Sequence, residues 1–249
     1  MEAQENYSYT LDSDKICPFG GLHSAFTFGI VEIVVDLVEV EGCDINQKGC
    51  MGNTPLGWAA CNGHEEVVEI LLGRNDIDPN KPDWYGATPL CLAARNGHSG
   101  VVKILLGRDD VDPNKLDNSG RTPLWCATIN GHEALVKILL GRGDVDPNKP
   151  DNSGQTPLWC AAQNGHEGVV KVLLTRGDVD PNEPGWSGLT PLCCAAADGH
   201  EGVVETLLGR ADVDPDKPDD NGRSPVWWAV TRGHAGVVLL LQPFRIRHL

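Results

Sequence analysis

Residues 88–114 read TPLCLAARNGHSGVVKILLGRDDVDPN. The tripeptide that opens this stretch, Thr-Pro-Leu, starts at Thr54, Thr88, Thr122, Thr156 and Thr190, and Ser224-Pro225-Val226 continues the series. Each start falls 34 residues after the last. A fixed period of this size marks an array of small supersecondary units, each too small to bury its own apolar face, and not a globular fold.

The unit Thr54–Ala87 shows how the local chemistry works. Thr54 suits a helix N-cap, and Pro55 suits the first helical position, where its missing N–H costs nothing. Leu56, Ala59 and Ala60 then fall at i, i+3 and i+4 on one narrow face, and the alanines let a neighbouring helix come close. Gly63 predicts a left-handed cap, and His64 begins the turn. Val67, Val68, Leu71 and Leu72 form the stripe of a second helix that Gly73 ends. Pro79 enforces an extended backbone before it, and Gly86 predicts the turn of a projecting β-hairpin. Helices this short do not persist alone in water, so stacking has to supply their stability.

These residues resemble the ankyrin-repeat family, whose signature is Thr-Pro-Leu-His-x-Ala over a period of about 33 residues. The match covers residues 20–249. The resemblance implies an all-α repeat solenoid: an ankyrin-like stack of helix-turn-helix units with projecting β-hairpins. The units are 20–53, 54–87, 88–121, 122–155, 156–189, 190–223 and an incomplete 224–249, after a disordered tail at 1–19. The tetratricopeptide Trp/Gly/Tyr/Pro pattern is absent. One departure recurs in every unit. The signature histidine is replaced by Gly57, Cys91, Trp125, Trp159, Cys193 and Trp227. In the family that histidine ties adjacent repeats by hydrogen bonds, so packing of indoles and thiols is expected to take over here.

The ends are atypical. Unit 20–53 lacks Thr-Pro. In the last unit Leu239 fills the slot held by Glu69, Lys103, Lys137, Lys171 and Glu205. A terminal unit ordinarily presents a polar face, so this leucine predicts either a contact through the C-terminal helix or a sequence cut from a longer array.

The chain has 249 residues, a net charge of −15, 41% hydrophobic and 22% charged residues. The acidic balance opposes nucleic-acid binding, and no apolar run approaches the ~20 residues that span a bilayer. The first fifteen residues are polar and do not read as a secretory signal. Nine cysteines are present. Those at repeat-equivalent positions lie about 10 Å apart in a stack, too far to bridge, so free, buried thiols and a cytoplasmic or nuclear location are expected.

Candidate chemistry is sparse. His64, His98, His132, His166, His200 and His234 recur one per unit. Zinc needs its ligands within about 2 Å of one point, so they read as turn residues bonding their local backbone. Asp110-Val111-Asp112 lacks the glycine and glutamate of a calcium loop. Cys193-Cys194 lacks a base to activate a thiolate. No catalytic residue, cofactor or metal is therefore expected.

Function is expected where exposed positions vary between units. Hairpin tips supply Trp84, Tyr85, Arg121, Gln155, Trp186, Leu189 and Arg223; first-helix ends supply Arg95, Ile129 and Gln163. The resemblance places these on one concave surface. The aromatic tips are good interface anchors, unless each ring folds onto its own hairpin. The reading is a non-enzymatic scaffold for a protein partner of unknown identity, with no nucleic acid and no membrane. The alternatives are a small-molecule binder or enzyme built on the Trp/Cys-rich first helices, and self-association through the C-terminal unit.

Overall fold

The computed structural model describes Val31 and residues 44–245. The tail at 1–19 and most of unit 20–53 lie outside them. Among the described residues are twelve α-helices in six antiparallel pairs. The pairs are α1 (Pro55–Asn62) with α2 (Glu65–Leu72), α3 (Pro89–Asn96) with α4 (Ser99–Leu106), and α5 (Pro123–Ile129) with α6 (Glu133–Leu140). They continue with α7 (Pro157–Gln163) and α8 (Glu167–Leu173), α9 (Pro191–Asp198) and α10 (Glu201–Leu208), and α11 (Pro225–Arg232) and α12 (Ala235–Arg245). Each first helix packs on the next first helix and each second helix on the next second helix. No helix is long and apolar enough to cross a membrane among the described residues.

The helix starts follow from the repeated tripeptide. Thr54 Oγ1 accepts from the Gly57 N–H at 3.1 Å, and Thr88, Thr122, Thr156 and Thr190 cap their own helices in the same way. Leu56, Leu90, Leu124, Leu158 and Leu192 are sealed between neighbouring pairs. Each contributes about 2 kcal/mol by leaving water.

The loops between units differ from the expected β-hairpins: no strand occurs among the described residues. An aspartate, buried at Asp83, Asp117 and Asp219 and half-buried at Asp151, holds four of the loops as tight turns. Asp83 Oδ1 accepts from the Tyr85 and Ala87 N–H groups, both at 2.8 Å, and Asp117, Asp151 and Asp219 repeat the motif. The side chain satisfies the N–H groups that a strand ladder would otherwise take. The fifth unit has Gly185 in that slot and forms a 3-10 turn over Trp186–Gly188, with Ser187 at φ +57°.

Three rows of side chains join successive units, and a fourth ties each first helix to the loop that leaves its own unit. Asn80 donates Nδ2 to the Asp110 carbonyl at 2.5 Å and accepts from the Asp112 N–H at 2.9 Å. Arg108 pairs with Asp110 and reaches back to the Leu72 carbonyl at 2.7 Å. Both bonds recur along the stack.

The other two rows correct the sequence reading. From His98 onward the turn histidines bond the preceding unit through Nε2. His98 Nε2 donates to the Cys61 carbonyl of the preceding unit at 2.9 Å, and His132, His166, His200 and His234 repeat this on Arg95, Ile129, Gln163 and Ala197. The signature-position indoles and thiols are not merely packed. Trp125 Nε1 donates to the Gln155 carbonyl at 3.0 Å and Trp159 Nε1 to that of Leu189 at 2.8 Å. Cys91 and Cys193 donate their thiols to the carbonyls of Lys115 and Lys217. An indole N–H has the same donor role as the missing imidazole, so the joint is kept with a different ring.

Candidate partner-binding surface

The inter-unit loops are bonded one to the next, the Asn118 N–H to the Tyr85 carbonyl and the Asn152 N–H to that of Ser119, both at 2.9 Å, and Arg95 at a first-helix end stands 3.6 Å from Asp117 of the following loop. Five of the sequence-nominated residues have their carbonyl oxygen bonded: Arg95, Ile129 and Gln163 to histidines of the following unit, Gln155 and Leu189 to tryptophans of their own unit. Side chains projected from such a backbone are pre-positioned, which lowers the ordering cost of binding.

Three of the nominated residues are already engaged. Asp117, its side chain fully buried, receives Arg121 Nε at 2.9 Å and stands 3.6 Å from Arg95 Nη2. Arg121 also lies over the Trp125 ring at 5.4 Å. Arg223 repeats the arrangement with Asp219 at 2.7 Å, over Trp227 and Trp228. These guanidiniums hold loop to helix and line the surface as fixed walls. The distinction was not visible in the sequence, although the spacing of Asp117 to Arg121 and of Asp219 to Arg223 repeats one side-chain pair.

Two of the loop aspartates are shifted in opposite directions. Burial pushes the Asp83 carboxyl above its ordinary value, against the two backbone N–H groups it accepts. At Asp219 burial pushes the same way, but the backbone N–H and guanidinium of Arg223 outweigh it and hold the carboxyl low.

The aromatic tips are the large exposed hydrophobes among the nominated residues. Trp84 is 66% exposed, Tyr85 53% and Trp186 65%. None of the other nominated side chains is a large exposed hydrophobe. Trp84 does not fold onto its own loop. Its ring lies on Gly52 of the preceding loop, where an added Cβ would sit 2.3 Å from Cδ1, and the Trp84 backbone N–H donates to the Met51 carbonyl at 3.1 Å. Trp186 is placed differently. Gly154, the counterpart of Gly52 beneath it, has no atom within 4 Å of its Cβ position. Trp186 thus stands clear of the loop on which Asn118, Asn152 and Asp220 rest in their own units. Ile129 is half-buried and Gln163 exposed.

The thiols offer little for nucleophilic chemistry. Cys91, Cys126, Cys160, Cys193 and Cys194 are free and buried, and Cys61 is free and half-buried. Burial raises Cys160 and Cys194 far above the ordinary thiol value, so both stay protonated at neutral pH. Cys50 departs from the expectation of free thiols: it is disulfide-bonded. No group of three or more histidine, cysteine or acidic residues is placed to hold a metal ion among the described residues.

A family model for ankyrin repeats matches the chain in three copies, over residues 22–117, 107–184 and 176–247. No curated protein matches it.

Proposed function

The chain belongs to the ankyrin-repeat family, whose repeats in general mediate protein–protein interaction, and we propose that it is a non-enzymatic scaffold whose partner docks along the loop edge. The observation that carries this reading is the pair of exposed aromatic tips, Trp84-Tyr85 and Trp186, on a backbone fixed by hydrogen bonds. Large exposed rings are costly to leave in water and are the side chains that most often anchor an interface. The tips are three units apart, roughly 30 Å at about 10 Å per unit. A partner engaging both presents two apolar pockets along an extended face. Polar tips such as Asn118 and Ser119 between them form a hydrogen-bonding rim. The set Trp84, Tyr85, Arg95, Arg121, Ile129, Gln155, Gln163, Trp186, Leu189 and Arg223 is the proposed contact surface. The six free thiols favour a reducing compartment, cytosol or nucleus, whereas the bonded Cys50 is the one feature that does not.

The test is affinity capture from the native source with the full chain as bait, beside a Trp84→Ala/Trp186→Ala double variant. The expected result is a partner retained by the natural chain and lost by a variant that stays folded. Equal capture by both baits overturns the assignment of the tips.

A further inference from the structure

The loop tips form a ladder from unit to unit. Each tip donates its backbone N–H to the loop before it: Trp84 to the Met51 carbonyl at 3.1 Å, Asn118 to Tyr85 and Asn152 to Ser119 at 2.9 Å, and Asp220 to Ser187 at 3.2 Å. Each tip also covers a glycine of that loop, Gly52, Gly86, Gly120 and Gly188 in turn. The ladder breaks at one interior joint, between loop 151–155 and loop 185–189. Among the described residues the Trp186 N–H meets no acceptor and the Asn152 and Ser153 carbonyls meet no donor. Gly154 is exposed, with no atom within 4 Å of its Cβ position.

The same joint is slack away from the tips. Asp78, Asp112, Asp146 and Asp214 donate their N–H groups to an asparagine of the preceding unit at 2.8, 2.9, 3.0 and 2.8 Å. The equivalent bond from Asp180 to Asn148 is absent among the described residues, although Asn148 still reaches the Asp178 carbonyl. Arg176 stands 3.4 Å from the Leu140 carbonyl, where Arg108, Arg142 and Arg210 reach theirs at 2.7, 2.9 and 2.8 Å. His166 keeps its 3.0 Å bond to Ile129, so the two units stay joined at their turns while their loops part. The cause is local. Gly185 replaces the aspartate of the other loops, and the Trp159 ring fills the space, 2.7 Å from the Gly185 Cβ position. Trp125 bonds Gln155 beside Asp151 with its ladder intact, so the glycine makes the difference.

We infer that this gap takes an extended, basic segment of the partner, lying between Gly154 and the Trp186 ring. The inference rests on the loop-edge reading and deepens it. An extended backbone offers N–H and C=O groups outward, as the open Ser153 carbonyl and Trp186 N–H require. A helix uses its own groups internally. Charge decides the side chains. Glu183 stands where the other loops have Lys81, Lys115, Lys149 and Lys217, and Leu189 where two have Arg121 and Arg223. Glu183 and Asp220 are exposed and form no ion pair among the described residues. A cation on the face of the bare indole is attracted to the ring as well. The chain's own first fifteen residues are a poor occupant, because Glu2, Glu5, Asp12 and Asp14 outnumber Lys15.

The experiment selects displayed random linear peptides on the full chain and follows the best binder by amide exchange and NMR. The expected winners are rich in lysine and arginine. The Trp186 amide exchanges faster than that of Asn152 in the free chain and gains protection when the peptide binds. Gly154→Asn fills the gap with a residue that tolerates its left-handed backbone, and Glu183→Lys restores the charge of the other loops at an exposed site. Each is expected to weaken binding about tenfold, and Trp84→Ala to leave it unchanged. Undiminished binding by Gly154→Asn overturns the inference. So do winners without a cationic excess, a selection that enriches nothing, or a Trp186 amide as protected in the free chain as that of Asn152. Binding lost with Trp84→Ala and kept with Gly154→Asn overturns this inference alone and leaves the loop-edge reading standing, whereas equal capture by the natural and double-variant baits removes that reading itself.

Discussion

His98 and Gly63 form the repeated contact that sets the distance between units. The imidazole donates to the Cys61 carbonyl at 2.9 Å, and its ring rests on Gly63, where a Cβ would come within 2.5 Å of Nδ1. Gly63 also has φ +77°, the left-handed cap of α1. One glycine thus ends its own helix and makes room for the next unit's histidine, and Gly97, Gly131, Gly165 and Gly199 do the same.

The two roles of that glycine are separable. Gly131→Ala meets both left-handed strain and the His166 ring, whereas Gly233→Ala meets strain alone because its Cβ position is open. The expected losses are about 3 kcal/mol for the first and about 1 kcal/mol for the second. Denaturant unfolding of the two variants beside the natural chain measures the difference. Equal losses would show that the histidine gives way at no cost.

The indole bonds make a parallel prediction. Trp159→Phe removes a buried donor to the Leu189 carbonyl and leaves a small void, so a loss of about 2 kcal/mol is expected. Trp227→Phe removes the same group from an exposed slot and is expected to cost under about 0.5 kcal/mol. Thermal melting of both variants checks the contrast.

The parts of this fold that could be read from the sequence are those a unit settles within itself. Thr54 and Gly57 are three residues apart, so the capping bond follows from spacing alone, and the same holds for Pro55 at the helix start. The partners of His98 and Trp125 were not legible, because a strictly periodic sequence looks the same whether a residue serves its own unit or its neighbour. His98 finds its carbonyl 37 residues back and Trp125 finds its own 30 residues ahead. The expected β-hairpins failed for a related reason. Pro79 and Gly86 signal a reversal, but whether a strand ladder or the Asp83 carboxylate takes up the N–H groups depends on a side-chain orientation that the composition does not express. At the candidate surface, the exposure of Trp84 and Trp186 was legible as a break in an otherwise polar series. The Gly52 seat that only Trp84 possesses was not.

The two loop aspartates are expected to titrate on opposite sides of the ordinary 3.8. Asp83 is raised, chiefly by burial, so its folded state takes up a proton first, and stability is lost as pH rises from 3.8 through its folded value. Asp219 is held low despite burial, by bonds from Arg223 and Asn221, so its contribution is present above 3.8 and lost as pH falls through its lower folded value. The exposed Asp76, Asp110, Asp144, Asp178 and Asp212, each lowered by a paired arginine, share the second sign. Carboxyl carbon NMR against pH resolves the order; Asp219 titrating above Asp83 would contradict it.

Glu133 and Gly168 make the last test, because here a glycine is required by its neighbour and not by its backbone. A Cβ on Gly168 would lie 2.1 Å from Glu133 Oε2, and Glu65, Glu167 and Glu201 stand in the same way over Gly100, Gly202 and Gly236. Where Ser99 replaces the glutamate, the facing residue is Ala134, so the two positions change together. Yet Glu133 is an exposed side chain held chiefly by Lys137 at 2.5 Å, and a flexible carboxylate is cheap to move. Glycine inside a helix costs up to about 1 kcal/mol relative to alanine. Gly168→Ala is therefore expected to stabilise the array by about 0.5 kcal/mol, and Gly168→Ala with Glu133→Ser by slightly more, as measured by melting temperature. A net loss for the single variant that the double variant restores would mean that the glutamate is fixed in place, and that the glycine is kept for this contact.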